Sequence, residues 1–219
     1  MSDVTPPNAR TDSPPLIRYD QILDAARAAI EEHGPDALTG QIAELAGLAR
    51  PNVYRHFSSK DDLDRALARS TYRELRGKIE ARLDQPGTPL EIIRALIATQ
   101  VNWANDHPNL YRFLVSHGYQ RRSHEVVEHS DLAAEINAAA ARYFPRLADY
   151  PEVVETTIVG LIGLFDASVL RWLSEPVGTL EELIDRLTAQ AWLILEEDLH
   201  EFSIDVDPAM PLPQAAAGL

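Results

Sequence analysis

Thr39-Gly40-Gln41-Ile42-Ala43-Glu44-Leu45-Ala46-Gly47-Leu48-Ala49-Arg50-Pro51-Asn52-Val53-Tyr54-Arg55-His56-Phe57-Ser58-Ser59-Lys60 reads as two short helices folded around a turn. Ile42, Ala43 and Ala46 make one apolar face, and Gly47 lets the chain reverse. A residue before proline avoids the helical region, and proline suits the first helical position. Arg50 is therefore expected as the cap and Pro51 as the start of a second helix running to Phe57. Val53 and Phe57, four residues apart, face inward, which leaves Tyr54, Arg55, His56 and Lys60 outside to meet phosphates. Two short helices, a glycine turn and a second helix opening on Arg and Asn fit a helix-turn-helix. Arg50 has the fork to hold guanine, and Asn52 has the amide to hold adenine.

The charge distribution agrees with this reading. Leu45 to Lys60 contain Arg50, Arg55, His56 and Lys60 and no acid. The net charge of −14 is uneven: residues 1–82 carry 12 basic and 13 acidic side chains, whereas residues 83–219 carry 8 and 21. A small acid-free patch ahead of an acidic body suits a DNA-reading head on a sensing body. It excludes only non-specific polyanion binding by the whole surface. With 219 residues, 45% of them hydrophobic, the chain can bury a core of its own. A folded chain of this size exposes roughly 10,000 Å², against about 35,000 Å² unfolded, which excludes a disulfide-stapled miniprotein or a disordered chain. The absence of cysteine removes thiolate metal sites, thiol catalysis and redox switching.

Outward from the motif the pattern stays helical, and the chain is expected to be all-α. Residues 1–15, with Pro6, Pro7, Pro14 and Pro15, read as a disordered arm; 16–60 form the head; 61–204 form a larger helical body; 205–219 form a loose tail. A long charged helix over 60–84 joins head to body. Beyond Gln85-Pro86-Gly87-Thr88-Pro89, helices are expected near 90–107, 108–116, 124–143, 151–173 and 179–201. Ser59 and Asp62 have the spacing of a capping box at the start of the joining helix.

Three blocks together carry a family resemblance: Ile22-Leu23-Asp24-Ala25-Ala26, Ile42-Ala43-Glu44-Leu45-Ala46-Gly47-Leu48, and Val53-Tyr54-Arg55-His56-Phe57-Ser58-Ser59-Lys60. They resemble the tetracycline-repressor (TetR) family of bacterial regulators over about 45 residues of the chain. The resemblance implies a homodimeric, all-helical repressor with an N-terminal DNA-binding domain and a divergent effector-binding body. Its partners would be a double-stranded DNA operator and a small-molecule effector, with no cofactor. By the same resemblance Arg50, Pro51 and Asn52 fall where bases are read; Thr39, Tyr54, His56 and Lys60 fall where the phosphate backbone is gripped. Arg55 has a phosphate contact, a base contact or a surface position open to it. Two features depart from the family pattern. Only Gly40 and Gln41 separate Thr39 from Ile42, and Ala49 stands where Ser or Thr commonly caps the second helix.

In the body, Thr156 to Leu170 carry one charge, Asp166, among Ile158, Val159, Leu161, Ile162, Leu164, Phe165, Val169 and Leu170. A helix apolar on all sides needs cover on all sides. With the stripe Leu180, Leu183, Leu187, Ala191, Ile194, this predicts a dimer through a four-helix bundle, with Leu187, Ala191 and Ile194 at the interface. Trp103, Phe113, His117, Phe165 and Asp166 are the expected effector contacts, a simple core being the alternative for each aromatic. A buried Asp166 requires a partner, either a ligand or an internal arginine.

Enzyme chemistry finds little footing. His124-Glu125-Val126-Val127-Glu128-His129 matches neither zinc-protease spacing, and its two histidines lie five apart, so no metal site is expected. No glycine-rich phosphate loop or Gly-x-Ser-x-Gly elbow occurs. The first 30 residues lack a signal-peptide pattern, and the longest apolar run, Ile158 to Phe165, is short of a membrane span. The expectation is a soluble cytoplasmic, nucleoid-associated regulator with no membrane partner. The alternative is a helical small-molecule binder or enzyme that does not bind DNA.

Overall fold

The computed structural model describes residues 19–120 and 127–212, with side chains described outside 118–131. All regular structure among these residues is helical. The order is α1 (Tyr19–His33), α2 (Thr39–Leu45), α3 (Arg50–Val53), α4 (Lys60–Leu83), α5 (Pro89–Asp106), α6 (Pro108–Gln120), α7 (Val127–Ala141), a 3₁₀ turn (Pro145–Asp149), α8 (Pro151–Ser174) and α9 (Leu180–Glu201). The expected arm, residues 1–15, and the chain beyond Leu212 lie outside the described residues, as do the side chains of the His124 to His129 stretch.

Local chemistry starts these helices. Ser59 Oγ accepts from Asp62 N at 3.1 Å and begins α4. Thr88 with Glu91, and Thr179 with Glu182, form reciprocal capping boxes at the starts of α5 and α9. Between α2 and α3 the chain turns at Gly47, whose φ of +66° a side chain would strain.

The head packs α1, α2, α3 and the first turns of α4 around Ile22, Ala26, Ile30, Ile42, Val53, Phe57 and Leu63. The same core continues along α4 into the body through Leu67, Leu75, Val101, Leu110 and Phe113. Arg27 on α1 holds Glu74 on α4 at 2.8 Å, and Asn109 on α6 donates to the Glu31 carbonyl at 2.9 Å. Head and body are thus joined by packing as well as by α4.

Four expectations change. The cap of α3 is Ala49, extended at ψ 137°, so Arg50 and not Pro51 is the first helical residue; proline fits the second position equally well because an N–H there would have no intrahelical acceptor, and proline has none to leave unpaired. The second helix of the motif stops at Val53, and turns carry the chain to Phe57. The tail expected to be loose from residue 205 folds back as far as Leu212, whose N–H donates to the Gly87 carbonyl at 3.0 Å. Phe202 and Ile204 anchor it in a second core with Ala133, Leu147, Val154 and Ile158, and Phe202 stacks on Tyr150 at 4.4 Å. Finally, α8 is long and apolar enough to cross a membrane. Here it packs against α7 and α9 and carries the buried carboxylate of Asp166.

Candidate nucleic-acid interface and ligand cavity

Burial splits the motif as its spacing predicts. Val53 and Phe57 are buried in the head core, while Arg50, Pro51, Tyr54, Arg55 and His56 are exposed and Asn52 is half-buried. One turn of α3 brings Arg50 over Tyr54: the guanidinium carbon lies 5.8 Å from the ring centroid, and a guanidinium N–H donates to the phenol oxygen at 3.5 Å. Tyr54 in turn donates to Thr39 Oγ1 at 3.4 Å. Thr39 is buried as the first residue of α2, so its hydroxyl steadies Tyr54 while Tyr54 and Arg50 present the surface. Hydrogen bonding to Thr39, then to Arg50, holds the Tyr54 phenol below its ordinary value.

Lys60 opens α4 with its Nζ between the two carboxylate oxygens of Asp64, at 2.6 and 2.7 Å. Ser58 and Arg65 both bond Asp62. Lys60 and Arg65, beside the motif, are therefore held in defined positions.

A second feature lies in the body. A nearly all-apolar cavity of about 210 Å³ is walled by α5, α7, α8, α9, the far end of α4 and the folded-back tail. Ile79, Leu96, Phe165, Trp192 and Phe202 are on its wall. Of the five expected effector contacts, only Phe165 reaches it. Phe113 is fully buried in the main core, and Trp103 is buried against Tyr111 and His107. His117 lies on the Phe113 ring with its Nδ1 2.9 Å from the Phe113 carbonyl. Asp166 stands one layer behind the wall, accepting from Tyr111 Oη at 2.7 Å and from the cavity-lining Gln100 Nε2 at 2.9 Å. Its partners include the Tyr111 phenol and the Gln100 amide.

The α5 wall escaped the sequence reading. Pro89, Ile92, Ile93, Leu96, Ile97 and Gln100 recur at helical spacing, a pattern that reads equally well as core. The expected interface residues also separate: Leu187 and Ala191 are buried within the chain, and only Ile194, 41% exposed, faces out, beside Leu193 at 66%. Leu187 and Ala191 lie on the α9 face that packs inward, where the main core already covers them. Among the described residues no group of His, Asp and Glu could hold a metal ion.

Comparison with known proteins agrees with this geometry. The family described as "Bacterial regulatory proteins, tetR family" matches residues 22–67. An uncharacterized HTH-type transcriptional regulator of Mycobacterium tuberculosis is 27% identical over 180 residues, covering 81% of this chain and 77% of its own. The HTH-type transcriptional repressor LfrR of Mycolicibacterium smegmatis is 37% identical over 37% of this chain and 42% of its own. The fold is shared with the fatty acid degradation regulator FadR of Bacillus halodurans at a TM-score of 0.60, 21% identity, 80% of this chain and 97% of that one. It is shared also with FadR of Bacillus subtilis, solved in complex with stearoyl-CoA, at 0.59, 19% identity and the same coverages.

Proposed function

We propose that this chain, whose residues 22–67 match the tetR family of bacterial regulatory proteins, is a homodimeric repressor released from its operator by a small molecule. One observation carries the reading: a single helix touches both features. α4 begins at Lys60 beside the exposed motif and ends with Ile79 and Leu83 on the wall of the cavity. Its 24 residues span about 36 Å, so a ligand that shifts its far end moves the head. Arg50 and Asn52 read bases, and Thr39, through Tyr54, joins Tyr54, Arg55, His56 and Lys60 in setting the head on phosphates.

A lone head offers one short helix to the major groove. Two heads about one DNA turn apart, ~34–36 Å, would read a near-palindrome. The dimer is supported by faces that a single chain leaves open. On α8, Thr156, Val159, Gly160 and Ala167 are exposed, and a Cβ built on Gly160 meets nothing. On α9, Ala189, Leu193 and Ile194 are exposed. Small residues on one helix and apolar ones on the next suit close packing against a second copy. The interface thus keeps Ile194 and replaces Leu187 and Ala191 with Leu193 and Ala189.

The occupant of the cavity is the effector, and the stearoyl-CoA bound by a protein of the same fold supports a molecule with a hydrocarbon body. It acts by binding the low-affinity arrangement better than the DNA-bound one. A tenfold release needs about 1.4 kcal/mol of such difference, and full reversal from 99:1 to 1:99 needs about 5.5 kcal/mol. A regulator of this kind works in the cytoplasm, at its operator. The test is a gel shift of the DNA upstream of its own gene: retardation by the wild type, lost in Arg50→Ala, supports the reading. No retardation of that DNA, nor of any sequence selected from a random pool, would favour the alternative of a helical binder that ignores DNA.

A further inference from the structure

We propose that the cavity takes a cationic amphiphile, an amine on a hydrocarbon body, with the amine seated at Asp198. The inference rests on the reading of the cavity as the effector site and adds the chemical class of its ligand. The wall is the first ground. Among the described residues that line it there is no lysine, arginine or histidine, and the one charged side chain is Asp198. An anionic head group inside this space would meet no cationic side chain and one like charge, and an unpaired charge in such surroundings is costly.

The second ground is the polarity of the neutral groups. Gln100 uses both N–H bonds of its amide inward, on Tyr111 Oη at 2.8 Å and Asp166 Oδ1 at 2.9 Å. What it has left to offer the cavity is its carbonyl oxygen, an acceptor. The buried Asp166 carboxylate fixes that orientation, because it can take only the amide's donor side. Tyr143 and Trp192 also line the space, and neither carries charge.

The third ground is the place of Asp198. It lies one turn before the C-terminus of α9, where the helix dipole is negative and an acid is unfavourable. Glu197 and Glu201 on the same terminal turns deepen that field. Asp198 makes no ion pair among the described residues, so its charge is available to a ligand. At about 210 Å³ the space is below the roughly 300–1,000 Å³ of pockets for drug-sized molecules, which suits a single medium-length chain.

The experiment compares decylamine, decanol and decanoate at submicellar concentrations, by isothermal titration against the full-length protein. The amine should bind about tenfold more tightly than decanoate, with the alcohol between them. Asp198→Asn should remove the amine's advantage over the alcohol while leaving the alcohol's affinity unchanged, and Asp198→Glu should restore it. Decanoate binding as well as decylamine, or an amine preference that survives Asp198→Asn, would overturn the proposal. Operator binding is read separately by fluorescence polarisation. No binding of any probe by a protein that still holds its operator sinks the ligand class alone. Amine binding at Asp198 without operator release upholds the ligand class and sinks the regulatory reading of the cavity.

Discussion

Lys60 Nζ lies 2.6 Å from one carboxylate oxygen of Asp64 and 2.7 Å from the other, one helical turn along α4. The lysine expected to grip phosphate is thus already neutralised in the free protein and must exchange one anion for another on DNA. Lys60→Ala should weaken operator and random DNA alike and make the salt dependence shallower by about 0.9 in log–log slope. Asp64→Asn should strengthen both. Polarisation titrations from 50 to 200 mM salt, a range set by the same counterion argument, read the two effects. A change of base preference in Lys60→Ala would remove it from the backbone-contacting set.

Arg50 and Asn52 should behave differently from Lys60. Each alanine variant is expected to lose roughly 1–3 kcal/mol on the operator and relax preference at a single base position. Selection of binding sites from a random pool, run side by side for the two variants, gives the positions. Uniform weakening with an unchanged site logo would make both residues positioning contacts.

The phenol of Tyr54 offers a spectroscopic handle. Its lowered value, from hydrogen bonding to Thr39 and then Arg50, means that it ionises at lower pH in the folded head than in the unfolded chain. The resulting stabilisation is present above the ordinary tyrosine value of about 10 and disappears as pH falls through the folded value. Ultraviolet titration should show one of the seven tyrosines ionising early, and that phase should vanish in Tyr54→Phe and move up in Thr39→Ala. An early phase that persists in Tyr54→Phe belongs to another residue.

The two sides of α9 make opposite predictions. Leu187 is 1% exposed within one chain, so Leu187→Glu should unfold the protein by circular dichroism, because it buries a charge without a partner. Leu193→Glu should leave the helix content intact and give monomers by light scattering, with operator affinity lost. A dimer that withstands Leu193→Glu and Ala167→Glu together uses another surface.

The helical class, the order of the helices and the motif were legible in the sequence because each rests on neighbouring residues. The 3.6-residue spacing of Leu23, Ala26 and Ile30, the stop at Gly34 and the pairing of Ser59 with Asp62 are all local signals. What failed depends on long-range packing. Nothing near Leu187 or Leu193 says which one the chain itself will cover, since both read as apolar positions on one helix. Phe113 and Phe165 look alike in sequence, yet the first fills the core and the second lines a space that exists only because five helices and the tail do not quite meet. Proline at 208, 211 and 213 argued for a loose tail, while Val206 and Leu212, the residues on the cavity wall, were two apolar side chains among many.

The Phe113 and Phe165 contrast is measurable. Phe113→Ala should cost about 3–5 kcal/mol of stability, seen as a large drop in thermal midpoint. Phe165→Ala, partly buried on the cavity wall, should cost less and change the response to ligand. Equal destabilisation by the two would mean that the cavity is collapsed in solution.

The return of the tail to Gly87 has a practical meaning for anyone who handles this protein. The last described residues are a wall of the chamber, pinned to the loop at which α4 hands over to α5. If α4 works as the proposed lever, a purification tag or fluorescent fusion attached directly after Leu212 would pull on its hinge rather than dangle from a neutral stub. Bulk placed there loads the same joint that a ligand would work. The N-terminal side, ahead of α1, is the better place to attach a surface or a dye when the release of DNA is what is being timed.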